Sequence, residues 1–405
     1  MSLRTLSVVV AVLLLAACSH LPTHPISGTP VERKQQAKDY YRQLPPDAHA
    51  LRKLSPADWP DFGQQIRKRT ELIEACSRSL NYLGKPSAKQ FFPMSGISQP
   101  QVVESVTAFR ELLLSDKNDA EVLASLKADF DLYQSVGCDD RGTVLFTGYY
   151  TPEFPASMTR TGRFQYPLHA LPPNHVKDPI TGKTLGRKQA DGSVDPYYPS
   201  RNELLTSGEL EGLELVYLDS AFAAYVVGVQ GSAFLRMENG SVMEVGYAGS
   251  NGRDYASIGK ALIKAGKMEM KDLNLRNLIR YFDEHPEEFA PLAAKNERYV
   301  FFQPGDGGPF GCLNEKVSAL ASIATDKTIF PRGAVCFLQT TLPVGTGTYK
   351  GWVLDQDSGG AIRAPGRCDV YMGIGDEAGE LAGHTYAEGQ LFYLLAKSAT
   401  EVAKR

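Results

Sequence analysis

The sequence predicts a mainly β protein with helices, in which a helical region precedes a barrel-like β region. Apolar residues between positions 57 and 136 recur at helical spacing. From residue 143 onward, short runs rich in β-branched and aromatic residues dominate, and Gly and Pro lie between them. Strands and helices do not alternate as they do in βαβ proteins, so a doubly wound parallel sheet is excluded.

The individual elements follow from the same patterns. The clearest helical spacing within the first region is that of Phe62, Ile66, Leu72 and Ile73, and of Val103, Val106, Phe109, Leu112 and Leu113. Two further helices are predicted at residues 257–265 and 273–283. Strands are predicted at residues 144–150, 215–218, 225–230, 299–302, 334–338, 352–355, 368–371 and 390–395.

The amino terminus reads as the signal peptide of a bacterial lipoprotein. Residues 1–17 carry one basic residue, Arg4, and an apolar run at residues 8–15, and the segment closes on Leu-Ala-Ala before Cys18. The run is shorter than the ~20 residues of a membrane-spanning helix, which disfavours the alternative of an uncleaved anchor. We expect a lipidated Cys18, a flexible tether over residues 18–50, and, because Ser19 is not aspartate, an outer-membrane lipoprotein facing the periplasm of a Gram-negative bacterium.

Composition agrees with an exported, folded protein and disfavours nucleic-acid binding. The 405-residue chain is long enough for two or more domains and has a formal net charge of −3, without the basic balance of a nucleic-acid binder. Cysteines and histidines lack metal-ligand spacing, so no metal and no cofactor is expected. Of the possible periplasmic disulfides, Cys76 to Cys138 is the first candidate, and Cys368 is expected in the core.

A run of acidic residues among glycines, at residues 355–383, is the most informative stretch of the chain. Strand alternation places Asp369 and Tyr371 on one face and Cys368 and Val370 on the other. Glycines let a bulky polymer approach the backbone, and a partly desolvated carboxyl group beside them can keep a proton for donation near neutral pH. Spacing alone nevertheless favours a structural interpretation, in which the acidic side chains bind their own backbone or water.

This stretch resembles the three-aspartate signature of the membrane-bound lytic murein transglycosylase A family, with Asp357, Asp369 and Asp376 at its three aspartate positions. Residues 147–152 resemble the family's Thr-Gly-Tyr-Tyr segment, residues 198–204 its Tyr-x-x-Arg segment, and residues 229–232 its Gln-Gly-Ser turn. The resemblance covers residues 57–395. It departs from the family at Ala233, Pro199 and Ala364, where local loop geometry is in doubt.

The resemblance implies a fold with two parts. A double-psi β-barrel catalytic domain with N-terminal helices would comprise residues 51–151 and 299–400. A second, β-rich substrate-binding domain would be inserted at residues 152–298, and the groove between the two would hold a glycan strand.

The resemblance also implies an activity: a lytic transglycosylase that cleaves the β-1,4 bond between N-acetylmuramic acid and N-acetylglucosamine in peptidoglycan, for cell wall turnover and remodelling. Its product carries a 1,6-anhydromuramic acid end, because the C6 hydroxyl of the sugar replaces water as the nucleophile. One carboxyl group then suffices where a hydrolase needs two. Asp369 matches the catalytic aspartate and would act first as acid and then as base.

Supporting roles are expected for the other residues of the matched segments. Asp357 and Asp376 would bind sugar hydroxyls or, as the favoured interpretation, hold Asp369 in place. Arg201 would pair with a lactyl or peptide carboxylate, with an internal salt bridge as the alternative. Tyr149 and Tyr150 would stack on sugars, unless they are half-buried core residues. The remaining expected groove residues are Thr147, Gln230, Gly231 and Ser232.

Two other functions stay open at this stage. A water-using hydrolase, or a protease with an aspartate pair, predicts that Asp357→Asn is as damaging as Asp369→Asn. A silent cell-wall-binding lipoprotein predicts retention on peptidoglycan without release of fragments. The expected partners are glycan strands, the membrane through the N-terminal lipid, and murein synthase or divisome proteins.

Overall fold

The computed structural model describes residues 38–179, 182–269, 272–273 and 275–397. The expected signal peptide, Cys18 and most of the expected tether lie outside these residues. Within them, no helix is both long enough and apolar enough to cross a membrane.

Helices and strands are mixed along the described chain. The helices are α1 (Arg69–Leu83), α2 (Gln99–Leu114), α3 (Asp119–Asp129), α4 (Arg201–Thr206), α5 (Ala221–Gln230), α6 (Ile258–Lys264), α7 (Leu275–Glu284), α8 (Pro286–Ala293) and α9 (Gly375–Gly383), with short 3₁₀ helices at Pro56–Asp58 and Pro86–Phe91. The strands are β1 (Leu51–Lys53), β2 (Phe130–Ser135), β3 (Val144–Thr151), β4 (Glu153–Ser157), β5 (Tyr166–His169), β6 (His175–Lys177), β7 (Thr184–Lys188), β8 (Val194–Asp195), β9 (Glu214–Leu218), β10 (Ala233–Met237), β11 (Val242–Ser250), β12 (Val300–Gly305), β13 (Ser322–Ala324), β14 (Val335–Thr340), β15 (Tyr349–Asp357), β16 (Arg367–Ile374) and β17 (Tyr386–Ala396). A mixed architecture of helices and several sheets is confirmed, with helices making up a larger share than a mainly β protein would have.

The largest sheet has eight strands in the order β1-β2-β17-β14-β15-β13-β16-β3. The long strand β17 pairs with β14 and β2 through its second half and with β3 through its first half. This extra pairing joins β3, β17, β14, β15, β13 and β16 into a ring of strands, in which β13–β15 and β16–β3 are parallel and the other pairs antiparallel. A ring leaves its member strands without a free edge.

Helices α1 to α3 pack with this sheet around one apolar core. The buried indole of Trp352 on β15 lies 4.9 Å from the ring of Phe62, 5.4 Å from that of Phe109 on α2 and 4.9 Å from that of Phe337 on β14, measured between centroids. Asn118 caps α3 by accepting a hydrogen bond from the backbone NH of Glu121, whose carboxylate accepts in return from the NH of Asn118. The helical spacing of the sequence therefore reflects burial against the sheet.

A second sheet has six strands in the order β12-β11-β10-β4-β9-β5, and β6, β7 and β8 form a third. The first strand after residue 298, where the sequence predicts that the barrel domain resumes, pairs outside the ring. Strand β12 pairs antiparallel with β11 over Val300 to Gly305, and so belongs to the six-stranded sheet. A single apolar strand carries no sign of which sheet it joins, because its partners are distant in sequence.

The run predicted as a strand at residues 225–230 is instead the second half of helix α5. Ser220 caps this helix by accepting a hydrogen bond from the NH of Ala223, and Gly231 ends it with a φ of 84°. Phe222, Tyr225 and Val226 are buried on it. Burial on most sides removes the polar positions that would reveal the helical period, so the β-branched residues misled the prediction.

The expected tether ends earlier than residue 50, because residues 38–50 contact the rest of the protein. The carboxylate of Glu388 on β17 accepts hydrogen bonds from Lys38 Nζ at 2.7 Å and from Tyr40 Oη at 2.6 Å. Arg42 Nε donates to the carbonyl of Cys138 at 2.6 Å. Polar side chains thus fasten a segment whose composition resembles a linker.

The proposed disulfide between Cys76 and Cys138 is also wrong. Both cysteines are free, as are Cys312, Cys336 and Cys368 in the described part of the chain. Cys76 is buried on α1 inside the core, and Cys138 follows β2. Cys368 is fully buried, as expected for a core residue.

Candidate active site

A row of aligned residues crosses four neighbouring strands of the ring and continues onto β17. Asp357 on β15 is paired with Ala324 on β13, Ala324 with Asp369 on β16, Asp369 with Thr147 on β3, and Thr147 with Tyr386 on β17. Side chains of directly paired residues point to the same face of a sheet. The small Ala324 therefore separates two carboxyl groups on one face.

Asp369 is enclosed but not sealed. Its side chain is 17 % exposed. Thr147 Oγ1 donates a short hydrogen bond to Oδ1 of Asp369, and Arg367 Nη2 lies 3.4 Å from the same oxygen. Burial raises the pKa of Asp369 to about 6, helped by the negative charge of Asp357 and opposed by Arg367. A carboxyl group of this pKa is protonated in a large fraction of molecules at mildly acidic pH, and can donate that proton.

Arg367 lies two residues before Asp369 on β16 and, by strand alternation, on the same face. Its side chain is 8 % exposed, and Nη2 donates to Thr147 Oγ1 at 2.9 Å. Thr147 thus accepts from the guanidinium and donates to the carboxylate. The pair would stabilise Asp369 once it has lost its proton.

Asp357 is held differently, because both of its oxygens already accept hydrogen bonds. Oδ1 accepts from the backbone NH groups of Cys312 and Ser358, each at 2.8 Å, and Oδ2 accepts from Tyr149 Oη at 2.9 Å. Burial raises the pKa of Asp357, and these donors oppose the rise. Its geometry suits an anchor for the strand end and for Tyr149 better than a proton donor.

Tyr149 and Tyr371 form an aromatic wall beside the two aspartates. They are paired in register on β3 and β16, with ring centroids 5.1 Å apart. The Tyr371 hydroxyl lies 2.9 Å from Thr151 Oγ1. The two rings are tilted by 48° to each other, and Tyr371 is buried while Tyr149 is partly exposed, so Tyr149 is the ring that a sugar could contact.

Tyr150, Asp376 and Gln230 lie on the other side of β3. Alternation turns Tyr150 away from Tyr149, and helix α9 covers that face so closely that a Cβ on Gly148 would come 2.7 Å from Ala382 Cα. Asp376 is in the first turn of α9, where its charge adds to burial in raising the pKa of Tyr150. Gln230 Oε1 accepts from the backbone NH of Tyr150 at 3.3 Å.

Arg201, the first residue of helix α4, is buried. Its Nη2 donates to the carbonyl of Arg298 at 2.9 Å and its Nε to that of Asn296 at 3.3 Å. The guanidinium carbon lies 4.9 Å from the ring of Tyr225 and 5.2 Å from that of Tyr299. No ion pair of Arg201 is found within the described residues, so the predicted internal salt bridge is replaced by carbonyls and aromatic faces. Gly231 and Ser232 follow α5, where Gly231 ends the helix.

The structure therefore brings together Asp357, Asp369, Thr147 and Tyr149. Sequence reasoning overlooked Arg367, although its position two residues before Asp369 was signal enough to place it on the same face. The described part of the chain has one group of potential metal ligands, His285, Glu287 and Glu288. Glu288 is already occupied by hydrogen bonds from Tyr281 and Lys267, so this group is explained as a surface ion-pair cluster.

Two family models match the chain. Residues 145–303 match the MltA specific insert domain, and residues 321–395 match the 3D domain. The first match extends from β3 into β12 and so includes the six-stranded sheet. The second extends from β13 into β17, which are strands of the ring.

Curated relatives match almost the whole chain. A protein of Escherichia coli strain K12 named membrane-bound lytic murein transglycosylase A is 30% identical over 397 residues, which are 95% of this chain and 93% of the relative. A protein of the same name from Vibrio cholerae is 27% identical over 389 residues, covering 92% and 93% of the two chains.

Solved structures agree with the curated relatives. A membrane-bound lytic murein transglycosylase from Agrobacterium tumefaciens superimposes with a TM-score of 0.72 at 25% identity, over 87% of this chain and 99% of the other. E. coli MltA with bound chitohexaose superimposes with a TM-score of 0.68 at 25% identity, over 92% and 100%.

Proposed function

The chain belongs to the membrane-bound lytic murein transglycosylase A family, and from that premise we propose that Asp369 is its catalytic acid and base. The activity is that of a peptidoglycan lytic transglycosylase. The observation that carries the proposal is the state of Asp369: partly exposed, with few donors, and with a pKa raised to about 6.

In the first step, protonated Asp369 donates its proton to the glycosidic oxygen that joins C1 of N-acetylmuramic acid to C4 of N-acetylglucosamine. The C1–O bond breaks, and positive charge develops at C1. The newly formed carboxylate of Asp369 is stabilised by Thr147 Oγ1 and by the Arg367 guanidinium.

In the second step, the C6 hydroxyl of the same muramic acid attacks C1, and Asp369 accepts the hydroxyl proton. A 1,6-anhydro ring forms, the carboxyl group is protonated again, and no water is consumed. Holding the hydroxyl near C1 makes the attack intramolecular. A second acidic group is then not needed, which agrees with the full set of donors on Asp357.

The ring of strands supports our proposal of a double-psi β-barrel, with a substrate-binding domain inserted into it. The pairing of β12 with β11 favours an inserted region that runs to Gly305, beyond the edge at residue 298 expected from the sequence. Glycan strands would lie in the groove between the barrel and the inserted domain, in contact with Tyr149. The E. coli relative with bound chitohexaose is consistent with a chain of sugars at such a groove.

For the remaining residues we propose support and not chemistry. Asp357 fixes the position of Tyr149. Asp376 and Gln230 support Tyr150 beneath α9, and Arg201 ties α4 to the segment that precedes β12. Gly231 and Ser232 shape the chain after α5. We further propose lipid attachment at Cys18, an outer-membrane location facing the periplasm, and murein synthase or divisome proteins as partners, for which the signal-peptide pattern is the support.

The test is mass spectrometry of muropeptides released from peptidoglycan sacculi by residues 19–405 and by the Asp369→Asn variant. We expect 1,6-anhydromuramic ends from the wild type and a loss of at least about 10²-fold in the variant, with binding to sacculi retained. Reducing ends would indicate attack by water. Retention on sacculi without any fragments would favour a binding protein and contradict the proposal.

A further inference from the structure

The segment from Lys38 to Arg42, which we call the N-terminal strap, is fastened beside the candidate active site. Lys38 and Tyr40 are bound by Glu388 on β17, two residues after Tyr386 of the aligned row. At the other end of the strap, Arg42 donates to Asp140 at 2.6 Å as well as to the carbonyl of Cys138. Between these anchors the strap has little freedom to move away.

Tyr41, in the middle of the strap, lies directly on Arg367. Its hydroxyl accepts from Arg367 Nη1 at 3.3 Å, and the guanidinium carbon lies 5.3 Å from the centre of its ring. Nζ of Lys260, from helix α6, lies 5.5 Å from the centre of the same aromatic ring. Tyr41 therefore lies close to both strand β16 and helix α6.

Arg367 depends on this contact more than a well-bonded arginine would. Its Nε is buried and has no hydrogen-bond partner among the residues that the structure describes. Nη2 is directed to Thr147 and Asp369, and Nη1 finds Tyr41. The face of Tyr41 and its hydroxyl are thus what restrains the guanidinium on the side of Nη1, through a cation–π contact and one hydrogen bond.

We propose that Tyr41 is a positioning residue of the active site, which holds Arg367 against the Thr147–Asp369 pair and so makes the N-terminal strap part of the catalytic centre. The inference rests on the proposed role of Asp369. Arg367 must stabilise the carboxylate only after proton transfer, so its placement matters to the transition state more than to glycan binding. A chain that starts after Arg42 would keep the ring of strands and lose much of the rate.

The experiment compares Tyr41→Ala, Tyr41→Phe and Tyr166→Ala, with residues 19–405 as the wild type and soluble glycan strands as substrate. Tyr166 is the matched control, because it is an exposed tyrosine at 40% against 38% for Tyr41 and lies on β5 of the second sheet. We expect kcat to fall by about tenfold to a hundredfold in Tyr41→Ala with KM unchanged, since a displaced catalytic group costs rate and not affinity. Phe retains the ring and should restore kcat to within about threefold.

A double-mutant cycle with Arg367→Lys tests the route of the effect. Lysine keeps the charge and lacks the planar fork, so this variant alone should lose rate. If Tyr41 acts through Arg367, adding Tyr41→Ala to Arg367→Lys should cost less than about threefold more. The inference would be overturned if the losses of kcat in the two single variants multiplied in full in the double variant. A rise in KM or an unchanged kcat in Tyr41→Ala would overturn it as well. Activity that persists in Asp369→Asn would instead contradict the proposed function itself.

Discussion

Asp355 and Asp369 lie on neighbouring parts of the same ring of strands, yet their surroundings differ. Asp355 on β15 is 0% exposed and accepts hydrogen bonds from Thr325 Oγ1 and Tyr393 Oη, each at 2.7 Å, and from the buried ammonium group of Lys327. Asp369 on β16 is 17% exposed, and within the described part of the chain its donors are Thr147 and Arg367 alone, both on the same oxygen.

The difference separates a structural carboxylate from a reactive one. A fully buried carboxylate that accepts hydrogen bonds on both oxygens from other buried groups is out of reach of a substrate. A carboxyl group that is largely desolvated, accepts few hydrogen bonds and is partly exposed keeps its proton to a higher pH than a surface aspartate. Such a group can also contact a sugar. Burial alone therefore does not identify the acid, whereas burial with an unsatisfied, accessible oxygen does.

The largest effect expected from this comparison is on stability, through Asp355→Asn. The substitution leaves the ammonium of Lys327 buried without its counter-ion, and we expect a loss of about 3–5 kcal/mol in the free energy of unfolding. Urea melts would measure it, with Asp61→Asn as the control, because Asp61 forms an exposed ion pair with Lys350. The double variant Asp355→Asn with Lys327→Met should recover part of the loss, and a double variant less stable than the single one would contradict this account.

A somewhat smaller effect concerns the pH dependence of stability. The pKa of Asp369 is raised from 3.8 to about 6 in the folded protein, so the stability contributed by its buried neutral form is fully present below pH 3.8 and is lost as pH rises through 6. Relative to Asp369→Asn, the wild type should lose about 3 kcal/mol between pH 4 and pH 8. Urea melts of both proteins at pH 4, 6 and 8 would check this, and a constant gap would show that the carboxyl group is not desolvated.

The smallest effect is expected for Asp357→Asn. The amide keeps one oxygen for the NH groups of Cys312 and Ser358, and its NH₂ group faces Tyr149, whose hydroxyl can accept instead. We expect the initial rate of anhydromuropeptide release to fall about tenfold, or 1.4 kcal/mol. Asp191→Asn, an exposed aspartate in the turn before β8, is the control. A loss as large as that of Asp369→Asn would favour two-carboxylate hydrolysis.

Local pattern predicted much of this arrangement. Alternation along β16 correctly set Asp369 and Tyr371 against Cys368 and Val370, because period 2 is a property of the strand itself. The same rule, applied one step further, places Arg367 with Asp369. Helical spacing likewise predicted α1, α2, α6 and α7.

Features that depend on distant residues were beyond local pattern. Which strand lies beside which decides that Asp357, Asp369 and Thr147 form one row, and sequence separation hides that register. Burial on most sides concealed the period of α5, and the strap from Lys38 to Arg42 is ordered by single polar contacts in a segment of linker composition. The family resemblance supplied the aspartates without the geometry that distinguishes them.

The central claim is that burial raises the pKa of Asp369 to about 6, and direct titration tests it. Residues 19–405 labelled with ¹³C at the aspartate carboxyl groups would be followed by NMR between pH 3 and pH 9, beside the Asp369→Asn variant. The account predicts one carboxyl resonance that titrates near pH 6 and is absent from the variant. If the resonance that disappears in Asp369→Asn titrates below pH 4, Asp369 has the pKa of an ordinary surface aspartate, and the account of the acid is wrong.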